Sequence, residues 1–221
     1  MKWIYLSHTL SDDHFAYGNS DRINILQSNS IDNGDSSNNS HISMPAHYGT
    51  HIDFPYHFDN NGKTGCKYKP NYFISCKVQF IDKSDIVCLD YYYQESDFDN
   101  IEFISNTEIL IIKTGMIDYI HVNRYWDSNP GFAPELAAYF KSKMPKLRII
   151  GFDSISLTGR KYRDKGKIAH REFLLRNHIL VLEDMDLLNV NCDISIQEII
   201  IAPLQFENSD GSPVTVFANV S

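Results

Sequence analysis

The sequence predicts one strand-rich α/β domain over residues 1–221, on three observations. Continuous apolar runs at 108–115, 147–156 and 179–182 are short and end in Gly or polar residues, as strands buried on both faces do. Two other segments, 134–143 and 166–176, place their apolar residues at helical spacing. With 43% hydrophobic and 22% charged residues, a 221-residue chain can bury a substantial core.

Residues 3–6 read as a first strand, followed by the polar stretch 7–10. Ser, Asn and Asp dominate 28–40, which predicts a hairpin tip or a mobile flap. Asn61-Gly62 and Pro70 make 58–72 irregular. Alternation at 77–81 predicts a strand, and 85–89 a further one, whereas the acidic, tyrosine-rich 90–100 reads as an irregular connection. Pro134 suits a first helical turn, with Leu136, Tyr139 and Phe140 on one face. The tail holds a strand at 199–202, a turn at 210–213 and a last strand at 214–220.

A formal net charge of −8 argues against a nucleic-acid binder, which would carry a basic surface. Lys161, Arg163, Lys165 and Lys167 form a local basic cluster, read as a solvated loop. Cys66, Cys76, Cys88 and Cys192 show no paired spacing and are expected to be reduced, mostly buried thiols of a cytoplasmic protein. Residues 1–7 are too short and too soon polar for a signal peptide, and no apolar run approaches a membrane span.

The chemistry concentrates at 47–57. His47, His51, Asp53 and His57 all fall on odd positions, so an extended backbone turns them to one side. Tyr48, Ile52, Phe54 and Tyr56 then face a core. A straight strand would hold His47 and Asp53 roughly 20 Å apart, at about 3.3 Å per residue. The chain must therefore kink, and Gly49-Thr50 and Pro55 are placed to do it. Imidazole and carboxylate together suit zinc, manganese or iron. The competing explanation is a chance cluster among nine histidines that hydrogen-bond to carboxylates.

Later in the chain, His170 shares a helical face with Ala169, Phe173 and Leu174, where a histidine is commonly a core residue. Glu172 lies about 200° round the helix from His170, at 100° per residue, with Arg176 as its i+4 partner. Glu183 ends an apolar strand, where a carboxylate is costly unless paired or metal-bound. Ser156 could suggest a hydrolase triad, but no Gly-x-Ser-x-Gly elbow is present.

The pattern His47-x-Gly49-Thr50-His51-x-Asp53-x-Pro55-x-His57 resembles the signature of the cyclase-family metal-dependent hydrolases, which include bacterial kynurenine formamidase and isatin hydrolase. Leu6-Ser7, Thr114-Gly115 with Arg124-Tyr125-Trp126, the segment 151–156 and Gly211-Ser212-Pro213 are similar to the family too. The resemblance implies a swivelling β/β/α fold and a homodimer or larger homo-oligomer with pockets near subunit contacts. It also implies that a helix histidine and a glutamate ending the next strand complete the metal centre, positions that match His170 and Glu183. The interval between them is one residue longer than in the family and puts His178 in the connection. Asp153 is implied to support the fold and the site loops. Tyr17 stands near the family's aromatic-Pro-Gly substrate loop, without the Pro, and reads either as a ring-stacking residue or as a surface tyrosine.

The reaction so implied is hydrolysis of an amide, lactam or ester of a small cyclic or aromatic compound. His47, His51 and Asp53 hold one divalent ion, zinc first and manganese second; Asp53 and Glu183 bridge to a second ion on His170. Such a metal lowers the pKa of bound water toward about 7 and polarises the carbonyl. His57 acts as general base and then acid, since imidazole exchanges protons near neutral pH. A kynurenine formamidase-like (arylformamidase) activity is expected first. The alternatives are an isatin- or lactone-hydrolase-like enzyme, and an idle member that binds only metal or ligand; the retained His57 argues against the last.

Overall fold

The computed structural model describes residues 2–19, 21–86 and 88–221. Its strands in chain order are β1 (Lys2–Tyr5), β2 (Asn24–Asn29), β3 (Asn39–Ser43), β4 (His51–Asp53), β5 (Ile74–Ser75), β6 (Val78–Asp82), β7 (Tyr92–Tyr93), β8 (Ile109–Lys113), β9 (Gly131–Phe132), β10 (Ile149–Phe152), β11 (Leu180–Glu183), β12 (Ile196–Pro203) and β13 (Gly211–Val220). The α-helices are α1 (Arg124–Asp127), α2 (Glu135–Lys143) and α3 (Arg163–Arg171). One sheet runs β5-β12-β13-β4-β11-β10-β8-β6, with β1 also on β13. Its two ends, β5 and β6, are joined through Cys76 and Lys77 alone, so the sheet curls into a nearly closed barrel.

The three apolar runs of the sequence become β8, β10 and β11, which pair in parallel. Ile109 to Ile112, Ile149, Ile150, Val181 and Leu182 are fully buried. Each such side chain contributes about 1.5–3 kcal/mol by leaving water. Leu136, Ala137 and Phe140 of α2 join the same buried core, and Phe132 stacks between Tyr93 and Phe152. The other half of the sheet is antiparallel. The three-residue strand β4 joins the halves, antiparallel to β11 on one side and to β13 on the other. This seam position brings residues from distant parts of the chain to one sheet face.

Four expectations need correction. The described residues of 85–89 form turn and bend, not strand; Val87 lies outside the described residues. Cys66, Cys76 and Cys192 are exposed, because they fall in short surface turns; Cys88 alone is buried, against Met116. The turn over 210–213 is already strand from Gly211 onward, because β4 supplies partners to Gly211, Ser212 and Pro213. The basic cluster lies largely on α3, not in a loop. The polar stretch 28–40 does become the tip of the exposed β2–β3 hairpin, and 90–100 contains the two-residue strand β7.

Candidate metal centre

Register assembles the site. Strand pairing sets His51 opposite Glu183 and Asp53 opposite Val181 on one flank, and Asp53 opposite Gly211 on the other. The kinks fall where Gly and Pro allow them. Gly49 has φ +61, a left-handed conformation that a side chain would resist. Pro55 starts a 3-10 turn over Pro55–His57. His47 thereby folds back until its Nδ1 is 2.8 Å from Asp53 Oδ1. Tyr48, Ile52 and Phe54 pack inward as alternation requires, while Tyr56 is half-buried.

Helix α3 supplies His170 and continues into a π turn, Glu172–Arg176, where Asn177 N–H donates to Glu172 O at 3.0 Å. A π turn takes one residue more than an α turn. The chain leaves this turn through His178, at φ +54, and enters β11, whose last residue is Glu183. Glu172 pairs with Arg176 at 2.7 Å and turns away from the centre.

Four buried donors converge. His51 Nε2 lies 3.3 Å from Glu183 Oε2 and 3.7 Å from Asp53 Oδ1; His170 Nε2 lies 3.3 Å from Glu183 Oε1 and 3.5 Å from Asp53 Oδ2. The opposite ring atoms are fixed by backbone. His51 Nδ1–H donates to Gly49 O at 2.7 Å and His170 Nδ1–H to Gly166 O at 2.9 Å. A carbonyl only accepts, so Nδ1 carries a proton on both rings and Nε2 is the atom left to an ion, which would displace the proton that Glu183 and Asp53 favour there. Glu183 Oε1 also accepts from Leu157 N–H at 2.6 Å and from Ser156 Oγ at 3.3 Å. Ser156 thus orients a carboxylate and does not stand as a triad nucleophile.

The electrostatics match that geometry. Burial pushes the Asp53 and Glu183 carboxyls up, but His47 and His51 beside Asp53, and His170 and His51 beside Glu183, hold both below the usual range. Burial would lower His47, yet Asp53 and Asp210 raise it to about 10. Its two nitrogens face Asp53 and Asp210, so metal binding through His47 must release a proton. The donor set of imidazoles and carboxylates, with tautomers already fixed, fits a divalent zinc- or manganese-type ion.

Tyr17, His47, His51, Asp53, His57 and His170 line one cleft of about 340 Å³, with Arg163 and Lys167 on its rim. A groove of about 820 Å³ elsewhere, between Tyr92, Glu135 and Glu172, has no histidine in its lining. The Tyr17 hydroxyl is buried without a hydrogen-bond partner. Asp153 holds the Thr114-Gly115 loop: one carboxylate oxygen accepts from Thr114 N–H and Oγ1, the other from Gly115 and Ile117 N–H. One side chain of this cluster escaped the sequence reading. Asp210 Oδ2 lies 3.0 Å from His47 Nε2 and 3.2 Å from His57 Nδ1. Its only sequence signal is its place beside Gly211-Ser212-Pro213, which reads as a turn.

Residues 4–158 match the Cyclase family model, described as "Putative cyclase". The chain is 29% identical over 216 residues to a kynurenine formamidase of Bacillus mycoides, covering 96% of this chain and 95% of the relative. Its fold is similar to isatin hydrolase A from Labrenzia aggregata bound to benzyl benzoate, with TM-score 0.81, 20% identity and coverage of 98% and 93%. It is also similar to a "predicted metal-dependent hydrolase" from Bacillus stearothermophilus, with TM-score 0.75, 18% identity and coverage of 98% and 97%.

Proposed function

The chain belongs to the Cyclase family, and from that premise we propose the reaction that its cleft performs: hydrolysis of the N-formyl amide of an aromatic amine, as in kynurenine formamidase. It is a metal-dependent hydrolase, and in this reading residues 1–221 act as one catalytic domain. The observation that carries this reading is the pair of pinned imidazoles, His51 and His170, aiming Nε2 at Asp53 and Glu183. In this reading His47, His51 and Asp53 hold one divalent ion, zinc before manganese. His170 and Glu183, with Asp53 shared, hold a second. Such an ion supplies Lewis-acid polarisation of the substrate carbonyl and acidifies a water.

The chain's own residues do the rest. His57 takes the proton from the attacking water and returns it to the leaving amine nitrogen, while Asp210 on its Nδ1 fixes the ring. Tyr17 offers its hydroxyl and ring to the substrate, and Arg163 and Lys167 at the rim favour an anionic substituent. The His57–Asp210 contact disfavours an idle binding member, since metal retention alone has no use for an oriented base. Among the described residues no helix is long and apolar enough to cross a membrane. A cytoplasmic homodimer or larger homo-oligomer with a small-molecule substrate completes the proposal.

The test combines metal content per chain with turnover of three substrates: N-formylkynurenine, isatin and an aryl lactone. Preferential cleavage of the formamide with one or two bound ions supports the assignment. Preference for isatin or the lactone moves the enzyme to those classes. Absence of turnover with full metal makes it a binding protein.

A further inference from the structure

We propose that His8, His14 and Asp184 form a second, separate metal site, one that takes a divalent transition ion such as Zn²⁺. Glu183 and Asp184 are consecutive but serve different clusters. Glu183 turns to His51 and His170, whereas Asp184, at φ +58, turns its carboxylate to His8 and His14. One ligand atom from each of the three lies within 4.8 Å of the others. His8 Nε2 is 3.6 Å from Asp184 Oδ1, close to the roughly 3.3–3.6 Å that separates donors around a tetrahedral zinc. His14 Nε2 is 2.6 Å from Asp184 Oδ2 and donates to it.

The feature that points to a ligand is His8. Its side chain is only 9% exposed, and its Nε2 is buried with no hydrogen-bond partner. A buried imidazole nitrogen left unmatched beside a carboxylate is costly unless something else meets it. Asp184 is held in place by Tyr125, whose hydroxyl donates to Oδ1, and by Thr50 Oγ1, which donates to its backbone carbonyl at 2.5 Å. Such outer contacts orient a ligand carboxylate. A surface groove lined by Ser7, His8, Leu10, Met44 and Asp186 gives a route in from solvent. Binding replaces the His14–Asp184 proton, which leaves to solvent, and opens that short contact to make room for the ion.

His8→Ala is the informative variant, because the Nε2 it removes makes no hydrogen bond in the fold. Zn²⁺-loaded wild type should carry one more ion per chain than His8→Ala, by elemental analysis after dialysis. Formamide turnover should be unchanged. In a His51→Ala background, added Zn²⁺ should raise the melting temperature, and His8→Ala should abolish that rise. Failure of the catalytic-centre assignment would show differently, as full metal in His51→Ala. Equal stoichiometry and equal Zn²⁺ response with and without His8 would overturn the proposal. Should His8→Ala fail to fold, Zn-edge anomalous scattering from wild-type crystals decides. A peak about 2.0–2.1 Å from His8 Nε2 and His14 Nε2 supports the site, and none at saturating Zn²⁺ overturns it.

Discussion

His57 Nδ1 lies 3.2 Å from Asp210 Oδ2, and the same carboxylate oxygen is 3.0 Å from His47 Nε2. One residue just before β13 thus couples the proposed base to a proposed ligand. Hydrogen bonds from His47 and His57 hold the Asp210 carboxyl well below the usual range, so it stays an anion through the working pH. His57→Asn should retain metal and slow turnover by roughly 10²–10⁴, the range for lost acid–base assistance. Asp210→Asn keeps the shape and should cost about 10–100-fold in kcat, as lost orienting contacts do. Metal analysis beside kcat separates the roles. His57 is close enough to His47 and Asp53 to serve as a ligand instead, and metal loss in His57→Asn would assign it there.

Gly211 gives a test of packing. A Cβ at this position would overlap the His47 ring, which stands directly over it. His47 is about a quarter exposed and can swing away, so Gly211→Ala should fold with a penalty of about 1–3 kcal/mol for overpacking. Metal should be held more weakly and activity should fall. Unchanged metal affinity in a folded Gly211→Ala would remove His47 from the ligand set.

The difference between Asp210 and the 47–57 stretch shows what sequence reading can reach. Parity, with Gly49 and Pro55 as kinks, is a local pattern, so the side of the strand facing the cleft was legible. The parallel block was legible for the same reason, because continuous Ile-rich runs have few other uses. Asp210 is 153 residues from His57, and only the pairing of β4 with β13 brings them together. Arg163 and Lys167 were misread because a charge run looks alike on a solvated loop and on the rim of a cleft. The spacing from His170 to Glu183 was visible, but not the π turn within it, which depends on backbone geometry.

Two nearby glutamates separate the centre from its surroundings. Glu183 is buried with Oε1 toward His170 and Leu157 N–H and Oε2 toward His51. Glu183→Gln keeps the shape but removes the charge, and should lower metal per chain and activity while circular dichroism is unchanged. Glu172 pairs with Arg176, whose side chain is 75% exposed, so Glu172→Gln should change stability by no more than about 1 kcal/mol and leave metal intact. Metal loss in Glu172→Gln with none in Glu183→Gln would overturn the assignment.

The acid limb of stability should depend on Glu108, remote from the cleft. Its carboxylate accepts from Ser75 Oγ at 2.8 Å and Lys77 Nζ at 3.1 Å, and pairs with Arg148. Arg148 also donates to the backbone carbonyls of Tyr72 and Ile74, so this network ties β5 to the segments that lead into β8 and β10. Burial would raise the Glu108 carboxyl, but the bonds from Arg148, Ser75 and Lys77 lower it to about 2 from an ordinary 4.5. A carboxyl depressed in the fold stabilises it fully above the unfolded value. That contribution is lost as pH falls from about 4.5 through about 2. Glu108→Gln should therefore be less stable than wild type at pH 6, by about 1–2 kcal/mol for a half-solvated charged network. The gap should narrow steadily below pH 4.5, because acid protonates Glu108 in wild type and the variant has no charge there to lose. Urea unfolding of both proteins at pH 6, 4.5 and 3 measures it, with the shared response of Asp53, Asp210 and Glu183 cancelling in the difference. A gap that stays constant from pH 6 to 3 would mean that Glu108 acts through shape alone.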